Sequence, residues 1–214
     1  AGLVVIMGHK RRPVTLIGDP GLALRQFIAV VIGMLVLTAA ILILPPYDMG
    51  EPLVRNMDLG RWLLLLPIAL VAVLVQSGAE EVFFRGYIQQ QLAARFRSPL
   101  IWMIVPSTLF GIAHYLPDSA GSNAWTIVIW ATLFGILMAD LTARSGTLGP
   151  AIAVHFVNNL SAMVLTSVPD EMSGLALYVL PFGMEDEAQM AAWLPVDFGF
   201  MFVSWLVARL AIRA

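Results

Sequence analysis

The chain has 214 residues, of which 59% are hydrophobic and 12% charged, with a formal net charge of −2. A soluble domain carries about 25% charged and 45–50% apolar residues, so this balance excludes an ordinary soluble globule and points to one all-α, polytopic transmembrane bundle over residues 1–214. Cysteine is absent, which excludes disulfides and thiolate metal sites, and no nucleic-acid partner is expected.

In chain order, residues 1–21 read as a basic cytoplasmic lead-in lying at the membrane surface. They do not form a cleavable signal, because Leu3 to Met7 is too short an apolar core and His9-Lys10-Arg11-Arg12 follows it. The first span is expected at 22–44, long enough for a hydrocarbon core of roughly 30 Å. Lys10, Arg11, Arg12 and Arg25 flank its start, whereas Asp48, Glu51, Arg55, Asp58 and Arg61 make a mixed flank after it. The positive-inside rule then places the N-terminus in the cytoplasm. On this view Lys10 to Arg12 is a topology signal rather than a specific anionic-lipid site.

The second span starts near Arg61 and runs through Gly78-Ala-Glu-Glu-Val-Phe-Phe-Arg-Gly86. Its tail from Gln89 to Arg97 is polar on one side and reads as a helix continuing beyond the bilayer or lying at its surface. Further spans follow at 100–115, with Pro106 as a kink, at 124–142 and at 148–166, the last ending in Pro169-Asp170-Glu171. Residues 172–184 are apolar but short, hence interfacial or re-entrant. The last span, 191–212, ends in Arg209 and Arg213. Six spans result, with both termini cytoplasmic and the cell (inner) membrane as the expected location. The small residues around Gly111 and Gly135 suit close helix contact.

The informative residues are polar ones inside apolar runs. Trp62 to Val75 carries no charge, and Glu80, Glu81 and Arg85 follow within six residues. Each charge at bilayer depth costs roughly 2.5–3.5 kcal/mol on insertion scales. Glu81 and Arg85, four apart, share a helix face and can pair; Glu80 points about 100° away and is left over. Arg97 lies 17 residues after Glu80 and 17 before His114. An antiparallel hairpin turning there brings Glu80 and His114 to one depth. His155 and Asn159 stand one turn apart on a single face, with Asn158 on another.

Two chemistries fit this set. In one, Glu80 and His114 share a water and take its proton, so that it attacks a carbonyl, while His155 and Asn159 donate hydrogen bonds to the oxyanion. In the other, Glu80, His114 and His155 bind a divalent metal such as zinc, with a fourth position left for water. The residues alone leave both open.

Glu80-Glu81-x-x-x-Arg85, Phe110-x-x-x-His114 and His155-x-x-x-Asn159, with Phe84-Arg85-Gly86-Tyr87 and Arg144-Ser-Gly-Thr-Leu-Gly-Pro-Ala151 beside them, resemble the motif series of the CAAX-protease and bacteriocin-processing (CPBP, or Abi) family of intramembrane proteases. The resemblance covers about residues 65–165. It implies a helical bundle whose polar cavity cuts peptide bonds near or within the membrane, with peptide or protein substrates and membrane lipid as partners. It makes Glu80 the general base, His114 its partner, His155 and Asn159 the oxyanion donors, and Glu81 and Arg85 the support of the site. A glutamate mechanism without a cofactor is favoured over a metalloprotease.

Blander roles stand beside these. A membrane histidine is often a packing hydrogen-bonder, and a Glu–Arg pair is often structural. Asp140 reads as a cavity or interface residue. A different class of function is a non-catalytic binding or assembly subunit of a larger membrane complex that keeps the protease scaffold.

Overall fold

The computed structural model describes residues 1–44, 52–169 and 173–213. The expected flanking charges Asp48, Glu51, Asp170 and Glu171 lie outside the described residues.

Helix α1 (Gly2–His9) and a 3-10 turn (Pro13–Leu16) form the lead-in. It docks rather than lying free at the surface. Val5 and Leu16 are buried, Leu148 N–H donates to Ile17 O at 2.9 Å, and Gln90 Nε2 donates to Leu16 O at 3.0 Å. Helix α2 (Pro20–Ile43) starts where Asp19 accepts from Leu22 N–H at 2.7 Å, with proline in its first turn.

Helix α3 (Leu59–Glu81) is capped by Asp58, which accepts from the N–H groups of Gly60 and Arg61. The bonds from Arg61 and Gly60 hold its carboxyl below the usual carboxylate range. The rod does not stop at the glutamates. It continues as a π-helix over Val82–Gln89 and closes with an α-turn at Gln90–Ala93, a winding that composition does not announce.

Helix α4 (Pro99–Ile112) packs closely on α5 (Ala124–Ser145). A Cβ on Gly111 would meet Thr132 Oγ1 and Val128 O, and one on Gly135 would come within 2.8 Å of Ser107 Cβ. The expected small-residue contact is therefore present, and it sets the spacing of the two helices. Helix α6 (Gly149–Leu160) ends in a second π-turn, Ser161–Leu165. It is buried on nearly every side, from Gly149 to Val157, as suits a helix at the bundle centre. Helix α7 (Glu187–Ala211) closes the fold.

Four helical stretches, α2, the rod Leu59–Ala93, the stretch ending in α5, and α7, are long and apolar enough to cross a membrane. The other two expected spans are the shorter apolar helices Pro99–Ile112 and Gly149–Leu165. The core joins Val30 and Met34 of α2, Phe110 of α4, Phe134 and Met138 of α5, Val154 and Val157 of α6, and Met201 of α7. Apolar side chains such as Leu64, Ile68 and Val75 of α3 face outward, as they do when lipid is the solvent.

At one end, strands β1 (Val54–Arg55), β2 (Thr166–Ser167) and β3 (Tyr178–Val179) form a small sheet in the order β1-β3-β2. Val54 pairs with Val179 antiparallel, and Thr166 with Tyr178 parallel. The described part of the short apolar segment 172–184 is thus a turn and a strand.

Candidate intramembrane active site

Helix α3 brings both glutamates to the face of α6. Glu81 and Arg85, separated by one turn, form the expected ion pair, with Arg85 Nη1 donating to Glu81 Oε1 at 2.9 Å. Both side chains are almost wholly buried. The guanidinium lies 4.8 Å above the Phe110 ring and 5.8 Å from that of Phe84, so aromatic faces replace part of its lost hydration.

The same Glu81 oxygen meets His155 Nδ1 at 2.7 Å. An ionised carboxylate only accepts, so Nδ1 is the protonated nitrogen and Nε2 is turned the other way. Nε2 points to Glu80, whose Oε2 lies 3.7 Å away. Glu80 itself is held by Gln76 Nε2, which donates to Oε1 at 3.1 Å. Its side chain keeps 29% exposure, while Glu81 has none. Two adjacent carboxylates therefore occupy different settings: one locked, one open.

The rings of Phe110 and Phe134 stand edge-on to His155 at 5.9 and 5.2 Å. They form an apolar wall beside the polar array.

His114 is half-buried at the end of α4. Its Nδ1 meets Phe110 O at 2.8 Å, and its ring packs on Phe110 at 4.5 Å between centroids. It forms no direct hydrogen bond with Glu80; the residue beside Glu80 is His155. Asn159 is one turn beyond His155, and Asn158 Nδ2 donates to its Oδ1 at 3.4 Å, which leaves the Asn159 amide N–H groups free to donate elsewhere. Among the described residues, no three His, Cys, Asp or Glu side chains are grouped as metal ligands. Glu80 and His155 are close enough to share an ion, and a third protein ligand would require His114 to come alongside.

Asp140 stands apart from the array, as an interface residue: it takes Arg144 Nε at 2.7 Å and Trp205 Nε1 of α7 at 3.1 Å. Sequence reasoning missed Gln76, although its place one turn before Glu80 is the spacing that could have revealed it. It also missed Gln89, which is buried and donates to Ala139 O at 3.1 Å.

Behind the array, a cavity of about 400 Å³ is lined by Leu16, Arg85, Gln89, Thr142 and Leu148 among others. Arg85 Nη2, Gln89 Oε1 and Thr142 Oγ1 are buried and lack a protein partner. They give the recess a polar patch, and the docked lead-in borders it through Leu16.

An apolar helical bundle that gathers two glutamates, an arginine and a histidine between its helices defines a class: an integral membrane protein with a polar site among its spans. Residues 62–161 match the family model described as type II CAAX prenyl endopeptidase Rce1-like, so the stretch that carries the site is similar to that family. A curated relative, the uncharacterized protein YyaK of Bacillus subtilis (strain 168), is 29% identical over 107 residues. The alignment covers 50% of this chain and 36% of that protein. No solved structure matches the chain.

Proposed function

We propose that the chain is an intramembrane endopeptidase in which Glu80 activates water for attack on a peptide carbonyl. The observation that carries this reading is the contrast between the two glutamates. Glu81 is neutralised by Arg85 and bonded to His155, so it has no freedom to move a proton. Glu80 is partly open and faces His155 Nε2 across 3.7 Å, with one oxygen tethered and one free.

Glu80 takes a proton from water, and the hydroxide adds to the scissile carbonyl carbon. His155 Nε2, which carries no proton while Nδ1 donates to Glu81, accepts a hydrogen bond from the water and holds it beside Glu80. Asn159 donates an amide N–H to the oxyanion. When the C–N bond breaks, Glu80 returns its proton to the leaving amine, and the bookkeeping closes without a cofactor. His114, anchored through Nδ1, keeps Nε2 available to a bridging water on the way to Glu80. Should a divalent metal such as zinc take part, Glu80 and His155 would be its first ligands.

The family description points to prenylated C-terminal peptides as the substrate class, with membrane lipid around the site. In this reading both termini lie on the cytoplasmic side of the cell membrane, an orientation that the positive-inside rule supports.

The test is cleavage of a farnesylated CAAX reporter peptide by the purified chain in liposomes, measured beside E80Q. The reading expects product from the native chain and loss of roughly 10²-fold or more in E80Q. Equal turnover by both would remove Glu80 as the base.

A further inference from the structure

Far from the glutamates, three arginines converge where α5 and α7 end. The two helices run side by side in the same direction. Near their starts, Asn123 Nδ2 donates to Glu187 O at 2.9 Å and the Ser122 hydroxyl donates to the Glu187 carboxylate. Near their ends, Trp205 Nε1 donates to Asp140 at 3.1 Å. One turn beyond that bond stand Arg144 on α5 and Arg209 on α7, and Arg213 follows one turn later. Arg144, Arg209, Ile212 and Arg213 line a cleft of about 380 Å³.

The charge there is unbalanced. Asp140 has already engaged both oxygens, one with Arg144 Nε and one with Trp205. The Arg209 guanidinium carbon lies over the Trp205 ring, 4.9 Å from its centroid. Among the described residues, the guanidinium groups of Arg209 and Arg213 have no hydrogen-bond or ion-pair partner. The positive-inside rule and the helix macrodipole both favour arginine at such helix ends. Neither requires that three arginines face one cleft, or that one lie over an aromatic ring.

We propose that this cleft seats the phosphate of an anionic lipid headgroup. Guanidinium forks match phosphate oxygens in pairs. The cleft lies where the apolar stretch of α7 ends, which is headgroup level for a spanning helix. The exposed side chains of Leu206 and Leu210 continue outward from it and offer an apolar surface to an acyl chain.

The test is native mass spectrometry of the purified chain with phosphatidylglycerol or phosphatidylcholine of identical acyl chains. The native chain should retain phosphatidylglycerol preferentially. Each basic residue at an anionic surface is worth roughly a five-fold change in affinity, so R209Q/R213Q should lose about 30-fold. R213Q alone, at an exposed helix end, should lose about five-fold and serves if the double variant does not fold. K10Q/R11Q/R12Q, which removes the exposed basic run of the lead-in, should keep the preference, and millimolar inorganic phosphate should not displace the lipid. Equal retention of the two lipids, an unchanged preference in the arginine variants, or an equal loss in the lead-in variant would overturn the proposal. Displacement by inorganic phosphate would overturn it too, by making the cleft a site for a soluble phosphate.

Discussion

Glu81 and His155 meet at 2.7 Å in a site where both are almost fully buried. They are 74 residues apart in the chain, on α3 and α6, and Arg85 bonds the same carboxylate oxygen. One carboxylate thus orients a histidine and neutralises an arginine at once. Removing its charge should unbalance all three groups. Glu81→Gln leaves the guanidinium without its counter-ion, and breaking a buried pair costs about 3–5 kcal/mol. The expected result is a marked drop in melting temperature in detergent together with loss of cleavage. A stable, inactive E81Q would instead assign Glu81 to the chemistry alone.

Glu80→Gln should behave differently. The side chain is 29% exposed and carries no ion pair with Arg85. Gln76 would still find an amide oxygen at position 80. Melting should therefore stay near that of the native chain while cleavage falls by roughly 10²-fold or more. Thermal unfolding and turnover measured on one preparation separate the two glutamates: a large stability loss in E80Q would contradict their division of labour.

Arg85 acts through shape as well as charge. It is fully buried, lies over Phe110 and reaches Glu81 through Nη1. Lysine keeps the charge but not the planar fork or the stacking. Arg85→Lys should restore only part of the stability lost in Arg85→Ala, and the ordering of the three melting temperatures checks this. If lysine and arginine melt alike, the aromatic contacts contribute nothing.

The Glu81–Arg85 pair was legible because a four-residue spacing fixes both height and face on one helix. The link from Glu81 to His155 was not, because it depends on which helices touch. A hairpin turning near Arg97 fixes the depth of Glu80 and His114 along α3 and α4 but not their azimuth. In the fold, His114 turns Nδ1 to Phe110 O, and His155 takes the place beside Glu80. The apolar spans were readable from composition, whereas the π-winding over Val82–Gln89 leaves no compositional trace. The docking of the lead-in rests on Tyr87, Gln90 and Leu148, which are distant in sequence and were beyond reach of any local signal.

Gly111 offers a test of how tightly the scaffold sets the site. It stands beside Phe110, whose ring touches Arg85, His114 and His155. A Cβ at this position would meet the Thr132 hydroxyl and come within 2.7 Å of Val128 O on α5. The hydroxyl can rotate away; the backbone carbonyl cannot, so α4 must shift. Overpacking of this kind typically costs about 1–3 kcal/mol. Gly111→Ala should lower the melting temperature and reduce cleavage together, because moving α4 moves Phe110 off the guanidinium and the imidazole. Adding Thr132→Ala removes the hydroxyl share of the clash and leaves the carbonyl share, so the double variant should recover only part of both losses. Full recovery would place the whole clash at Thr132. An unchanged G111A would mean that α4 and α5 have slack between them, and the position of Phe110 would then need another cause.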